Sequence, residues 1–441
     1  METIADCLLL TIVRPGREDT PMTTLSPVLK QATPVIVERA LGSWIYGTNG
    51  EKYLDFTTGI GVTSTGHCHP RVVEAAQKQV GTIIHAQYTT VMHKPLLALT
   101  EKLGEYLPAG LDSVFYANSG SEAVEASIRL ARMATGRPNI IAFHGGFHGR
   151  TVAAASLTTA GLKFRSGFSP LMGGVHIAPF PHAFRYGWDI DTAIDFALQE
   201  LDYLLTTISA PEETAGFIIE PVLGDGGYIP TPPRFLKGLR ERADRFGIVL
   251  ILDEVQAGVG RTGKFWGHQH SSIHPDIVIT AKGLASGFPI SAIAASSELM
   301  GKAWPGSQGG TYGGNAVAAA AAVATLDVLR DEGLVENARD RGDELQRGLN
   351  GLKSDSPLMG DTRGLGLMQA VEFVTEDGEP NAALAAAVQQ VAIAQNLLLL
   401  TCGSAGNVIR LVPALNVSSD EIAIGLERFE RAVRIASDTG I

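Results

Sequence analysis

Lys282 is the only charged side chain between Ile277 and Ser297, set among Ile, Val, Ala, Leu, Phe and Gly. A lysine ordinarily sits in water at a surface. This one follows a short β-branched run with the character of a buried strand. Burial disfavours the ammonium form and lowers its pKa, and a neutral amine is what a Schiff-base lysine requires. Asp253 closes the apolar run Ile248–Leu252 and lies 282 − 253 = 29 residues upstream. A carboxylate facing the same crevice can keep a cofactor ring nitrogen protonated. A structural carboxylate capping backbone groups is the other reading of Asp253. Together the two residues point to pyridoxal phosphate, with lysine anchoring the aldehyde and aspartate pairing with the pyridinium.

A phosphate then needs a site. Ser119-Gly120-Ser121 follows one apolar run and opens a helical segment, where exposed N–H groups and the helix dipole attract an anion. Gly309-Gly-Thr-Tyr-Gly-Gly-Asn315 is a second candidate, inside the uncharged interval Ala303–Leu326. Phe147 and His148 follow a glycine pair, and an aromatic there can stack on a planar ring or simply fill the core. His268, His270 and His274 lack the spacing of a structural zinc motif, so they read as surface or hydrogen-bonding histidines, as do His67 and His69. No metal site is expected. Gly258-Val-Gly-Arg-Thr-Gly-Lys264 imitates a nucleotide-binding P-loop, but Phe265 stands where Ser or Thr would bind magnesium. No GxGxxG follows the first strand and no GxSxG elbow occurs, so dehydrogenase and α/β-hydrolase readings lack support.

Five short apolar runs must carry these groups: 113–116, 140–143, 217–219, 248–252 and 277–280. Each is followed by a polar or glycine-rich cluster, and helical patterns such as 121–135 and 233–246 lie between them. Alternation of this kind predicts an α/β fold with a mainly parallel sheet, and all five clusters fall at carboxyl ends, where such sheets bind ligands. Beyond residue 328 the pattern changes. Helices near 320–332 and 335–353 lead to a strand near 367–374, a helix near 381–395, a strand at 408–412 and a closing helix with Ser418 and Glu421 spaced as a capping box. The expected organisation is a disordered leader over 1–21, an N-terminal part of a small α+β domain over 22–70, a large cofactor-binding domain over 71–327 and the rest of the small domain over 328–441. One continuous domain is the alternative.

The chain of 441 residues is 45% apolar, ample for a core, and its charge sum of 35 − 46 = −11 contains no long run of one sign. That balance argues against a nucleic-acid or anionic-membrane surface. Its 50 glycines among 441 residues are a larger share than the average of roughly 7%, consistent with loops that approach a ligand closely. Cys7, Cys68 and Cys402 are scattered and odd in number, so a reducing, cytoplasmic setting is the natural expectation. The apolar run from Cys7 lacks a basic flank and a cleavage site, and the alanine-rich run Ala316–Leu326 is too short to span a bilayer.

Six ordered motifs resemble those of the class III aminotransferases, pyridoxal-phosphate enzymes of fold type I. They are Asn118-Ser-Gly-Ser-Glu-Ala, Phe143-His-Gly-Gly-Phe-His-Gly-Arg-Thr, Ile219-Glu-Pro-Val, Leu252-Asp-Glu-Val-Gln-Ala-Gly-Val-Gly-Arg-Thr-Gly, Ala281-Lys-Gly and Gly310-Thr-Tyr-Gly-Gly-Asn. The resemblance runs from about residue 25 to the C-terminus. It implies that Lys282 bonds the cofactor and shuttles protons and that Asp253 meets the pyridine nitrogen. It also implies that Gly120 and Ser121 hold phosphate, Phe147 stacks with His148 beside it, and Gln256 contacts the ring hydroxyl. Thr311 would reach the phosphate of a neighbouring subunit, giving a homodimer with shared sites; a tetramer stays open.

Within the class the sequence is most similar to bacterial 4-aminobutyrate aminotransferases. There Ile60 would line the substrate pocket, Arg150 would take the distal carboxylate and Arg410 an α-carboxylate. In the segment opened by Glu220, that group pairs a glutamate with the second arginine; Asp225 stands in its place, one methylene shorter. The implied reaction carries an amino group from an ω-amino acid to 2-oxoglutarate by double displacement. A broad amine:pyruvate or ornithine/lysine-type transaminase is the alternative.

Overall fold

The computed structural model describes residues 25–438, so the expected leader over 1–21 lies outside the described residues. The chain opens with three antiparallel strands, β1 (Val37–Leu41), β2 (Trp44–Gly47) and β3 (Lys52–Asp55). Next come β4 (Ser113–Ala117), β5 (Asn139–Phe143), β6 (Val175–Ala178) and β7 (Thr214–Ile219), and then a short ribbon of β8 (Val222–Leu223) and β9 (Ile229–Pro230). Strands β10 (Val249–Asp253), β11 (Ile277–Thr280) and β12 (Ser291–Ala295) follow.

All of these from β4 onward except the ribbon form one seven-stranded sheet in the order β4-β12-β11-β10-β7-β5-β6. Its pairings are parallel except around β12, which runs antiparallel to both β11 and β4. The two reversals cancel, so β4 points the same way as β11 and every predicted carboxyl end lies along one edge. Central strands such as β10 (Val-Leu-Ile-Leu-Asp) are buried throughout, as a sheet covered on both faces demands.

The helices begin and end where local chemistry directs. Helix Gly120–Thr135 starts at a capping box of Ser119 and Glu122. Helix Pro233–Phe246 has proline in its first turn and ends at Gly247, whose φ of 63° suits a residue without a Cβ. The alanine-rich run predicted to be too short for a membrane is buried in helix Ala316–Asp331. Among the described residues no helix is long and apolar enough to cross a membrane.

The C-terminal part contains an antiparallel sheet of β13 (Met359–Leu365) and β14 (Met368–Phe373), followed after β15 (Leu397–Leu398) by β16 (Leu400–Cys402) and β17 (Val408–Leu411), in the order β13-β14-β17-β16. Strand β15 instead joins β3 in parallel, so the N-terminal strands complete a sheet with the C-terminal segment. The closing helix, Ser419–Asp438, has the expected box: Ser418 N–H donates to Glu421 Oε2 at 2.9 Å and Glu421 N–H to Ser418 Oγ at 3.2 Å. Glu421 also accepts the Trp44 indole N–H at 2.6 Å, fastening the first strands to the last helix. One apolar cluster runs through Leu54, Phe56, Leu284, Leu329, Phe373 and Phe429.

Candidate active site

The carboxyl edge of the large sheet borders a cavity of about 280 Å³. Nine of the predicted residues line it: Gly120, Ser121, Phe147, His148, Glu220, Asp225, Asp253, Gln256 and Lys282. Lys282 opens a 3₁₀ turn directly after β11 with a φ of 42°, a conformation side chains rarely hold and one concentrated at functional sites. Burial lowers its pKa, Asp225 partly opposes that, and Arg410 adds to it. The amine is therefore shifted toward its nucleophilic form.

Asp253, the last residue of β10, is buried, and its Oδ2 lies 2.8 Å from His148 Nδ1. Burial works against an imidazolium at His148. The Asp253 hydrogen bond and charge, with Glu220 beyond, outweigh it and hold the pKa above the usual value. Glu220, just beyond β7, accepts the Phe147 N–H at 2.8 Å and the Gly224 N–H at 2.9 Å. Burial pushes its pKa up to about 7, against the pull of His148. Both carboxylate oxygens of Glu220 thus shape the backbone around the cavity.

The residues present fit pyridoxal phosphate. At the start of helix Gly120–Thr135, Glu122 takes the Asn118 and Ser119 N–H groups, while those of Gly120 and Ser121 find no acceptor among the described residues. They face the cavity from a helix N-terminus, a ready anion site. A Cβ on Gly120 would come within 3.1 Å of Val255 Cγ1, so any larger residue there requires Val255 to give way. Gln256 Oε1 is buried without a hydrogen-bond partner, and such an atom is costly unless something fills the place before it.

Opposite this face, Arg410 on β17 is buried and its Nη1 lies 3.4 Å from Asp225 Oδ1. The shorter aspartate does reach the arginine, but loosely: Nε and Nη1 make no hydrogen bond. Burial opposes the charge, yet Tyr228 and Asp225 hold the arginine's pKa above its usual value. Arg410 is not itself part of the cavity wall, and three further expected residues stand apart from it as well. Arg150 is exposed, its guanidinium carbon 4.7 Å from the centre of the Phe164 ring. Ile60 is 43% exposed. Thr311 is exposed in the 309–312 stretch and does not line the cavity of its own chain.

The false P-loop is a turn whose Arg261 side chain is buried and donates to the Leu367 carbonyl at 3.1 Å, so it cradles nothing. Five other histidines are hydrogen-bonded: His268 to Glu254 at 2.7 Å, His270 to the Thr262 carbonyl at 3.1 Å, His274 to the Ala109 carbonyl at 2.6 Å, His67 to Asp55 at 2.8 Å and His69 to Glu332 at 3.1 Å. Among the described residues no cluster could hold a metal ion. Sequence reasoning missed Val62, Phe288 and Pro289 in the cavity wall. It also missed the backbone of residues 58–61, whose φ values are 45°, 62°, 71° and 70° in succession. Left-handed geometry costs roughly 1–2 kcal/mol at each non-glycine residue, here Thr58 and Ile60. The signal was the Gly59-Ile60-Gly61 triplet.

Residues 26–433 match the family described as Aminotransferase class-III. The chain belongs to that family. This class III aminotransferase is 37% identical over 403 residues to the 5-aminovalerate aminotransferase of Pseudomonas putida, covering 91% of this chain and 93% of that one. It is 36% identical to the 4-aminobutyrate aminotransferase of Escherichia coli, covering 90% and 93%. Its fold matches the omega transaminase of Pseudomonas jessenii, solved in complex with PMP, with a TM-score of 0.87 at 30% identity over 92% of this chain and 93% of that one. The enzyme has the fold type I architecture expected, and its cofactor is pyridoxal phosphate.

Proposed function

We propose that this aminotransferase moves the amino group of an ω-amino acid, 4-aminobutyrate foremost, to 2-oxoglutarate. The observation that carries the reading is the pair of buried Arg410 and half-buried Asp225 beside Lys282. When bound, pyridoxal phosphate supplies the carbonyl that receives the amino group and the ring that draws electrons from the reacting carbon. With that group held there, Lys282 Nζ would be the base that takes the proton from the reacting carbon and gives it back on the far side of the nitrogen, two atoms along. Asp253 keeps the ring nitrogen protonated, and His148 holds Asp253 for that task. Gly120 and Ser121 take the phosphate, Phe147 the ring face and Gln256 the ring hydroxyl.

Glutamate brings a carboxylate beside its reacting carbon, and Arg410 takes it. An ω-amino acid brings none there, and Asp225 then neutralises the arginine, since an unpaired buried charge is costly. Arg150 receives the distal carboxylate of both donors as a planar fork. The position of Arg150 on Phe164, outside the cavity wall, favours a second reading, a broad amine transaminase that does not need a distal carboxylate.

Thr311 and Tyr312 are exposed, as are Ile84, Val91 and Met92, and this apolar face is the one proposed to form a homodimer in which Thr311 meets the phosphate of the other protomer. The cytoplasm is the proposed compartment, since Cys68 and Cys402 are free thiols. A panel of ω-amino acids and uncharged amines, each assayed with 2-oxoglutarate and with pyruvate, tests the assignment. Turnover of 4-aminobutyrate with 2-oxoglutarate supports the first reading. Preference for uncharged amines with pyruvate establishes the second.

A further inference from the structure

The left-handed turn at 58–61 lies inside a loop whose two ends are clasped. Asp55, at the end of β3, is buried, and its Oδ1 accepts the Thr57 N–H at 2.8 Å and the Thr57 hydroxyl at 2.6 Å. Its Oδ2 meets His67 Nε2 at 2.8 Å. His67 is itself held, its backbone N–H donating to the Gly42 carbonyl at 2.8 Å and its carbonyl accepting the Gly42 N–H at 2.9 Å. Residues 55–67 therefore form a closed loop with a strained turn in it, and strain of this kind persists only where surrounding contacts enforce it.

Those contacts reach three separate parts of the site. Toward the C-terminal sheet, the Thr58 hydroxyl donates to the Val412 carbonyl at 2.8 Å and the Val412 N–H to the Phe56 carbonyl at 2.9 Å, two residues beyond Arg410. Toward the ring side, a Cβ on Gly61 would sit 3.6 Å from Gln256 Cγ and 3.5 Å from Val412 Cγ2. Toward the lysine, the Thr65 N–H donates to Ser286 Oγ at 3.0 Å and the two hydroxyls lie 2.7 Å apart. Ser64 Oγ fills the space a Cβ on Gly283, next to Lys282, would need.

We propose that Asp55 is a positioning residue for substrate selection: with His67 it clasps residues 55–67 so that Arg410 keeps its register against Gln256 and Lys282. The proposal rests on the reading that Arg410 receives an α-carboxylate. It treats the clasp as acting on Arg410 through Thr58 and Val412, with no contact of its own to substrate or cofactor.

The test uses the holoenzyme and follows single-turnover reaction with glutamate and, separately, with 4-aminobutyrate. Asp55→Asn removes the charge of the clasp, and Thr58→Val removes the hydroxyl that reports to Val412. In both, the apparent Kd for glutamate is expected to rise about tenfold, with that for 4-aminobutyrate within about twofold and the visible cofactor spectrum unchanged. Thr58→Ser, which keeps the hydroxyl, should track the wild type. Unchanged glutamate binding in both variants overturns the proposal, and so do equal losses for the two donors accompanied by cofactor release. Should Asp55→Asn not fold, the Thr58 pair decides alone. Arg410→Ala in the same assay separates the two levels. If it spares glutamate, the reading beneath the proposal falls and the proposal with it; if it impairs glutamate while Asp55→Asn and Thr58→Val do not, only the clasp falls.

Discussion

On the sheet side of the cavity, Asp253 meets His148 at 2.8 Å and Glu220 meets the Phe147 N–H at 2.8 Å, all on strand ends or the turns that follow them. On the far side, Arg410 and Asp225 meet at 3.4 Å without a hydrogen bond from Nη1, and Arg150 leans on Phe164 outside the wall. The first region is over-determined: Asp253, His148 and Glu220 each have a hydrogen-bond partner that fixes their place. The second keeps unused donors, Nε and Nη1 of Arg410 among them. Under the proposed reaction, a cofactor held through both half-reactions suits the first kind of construction, and two alternating donors suit the second.

The contrast can be broken at its strong side first. Lys282→Ala should lower turnover by at least about 10²–10⁴-fold, the usual contribution of a positioned acid–base group, and abolish the visible absorbance of the bound cofactor. Asp253→Asn should keep fold and colour but lower kcat about 10- to 100-fold. That is the equivalent of one charge-assisted hydrogen bond, read in stopped-flow single turnovers. On the loose side, Arg410→Ala should weaken the glutamate half-reaction about tenfold or more and leave the 4-aminobutyrate half-reaction nearly intact; equal losses would remove the distinction between the two regions.

Stability against pH sharpens the comparison further. Glu220 rises from 4.5 to about 7 on folding, so the native state holds a proton the unfolded chain has lost. Its contribution is complete below about 4.5 and disappears as pH climbs through about 7. His148, also raised from 6.5, contributes in the same sense, complete below about 6.5 and lost above its folded value. Lys282, lowered from 10.5, acts oppositely, its contribution present above 10.5 and lost as pH falls through the folded value. The thermal midpoint of the apoenzyme should therefore fall from pH 5 to pH 7, and Glu220→Gln should flatten that slope. The smallest effect is expected from Asp225→Glu: a closer ion pair with Arg410 and a shift of about two- to fivefold in preference toward 4-aminobutyrate over uncharged amines, checked by competition assay.

What the sequence disclosed follows the same division. Strands β10 and β11 and helix Pro233–Phe246 are legible because continuous apolar runs, a proline and a glycine mark their limits. The placement of Lys282 at the cavity is legible too, since a lone lysine after a buried strand is unusual; Asp253 left a structural reading open until the fold set it on the same wall. Strand β12, Ser-Ala-Ile-Ala-Ala, was missed because small residues carry almost no β signal, and its burial comes from the strands on either side. Strand β13, Met-Gly-Asp-Thr-Arg-Gly-Leu, shows no alternation and owes its form to β14. The Asp55–His67 clasp was invisible for a related reason: twelve residues of spacing say nothing until a left-handed turn brings the two ends together.

The reversed strand β12 has a consequence for how the polypeptide is made. It pairs Ala295 with Ile277 on one side and with Ser113 on the other. The first pairing closes a short excursion of chain; the second waits for a segment made about 180 residues later. Until Ser291–Ala295 leaves the ribosome, β4 and β11 each present an unpaired edge, the kind of surface that recruits stray strands. A nascent chain with Lys282 already outside the ribosome and Ser291–Ala295 still within it would carry its lysine with no strand on that side. The sheet is therefore complete once Ser291–Ala295 emerges, while the lysine's surroundings wait longer, for Arg410 on β17.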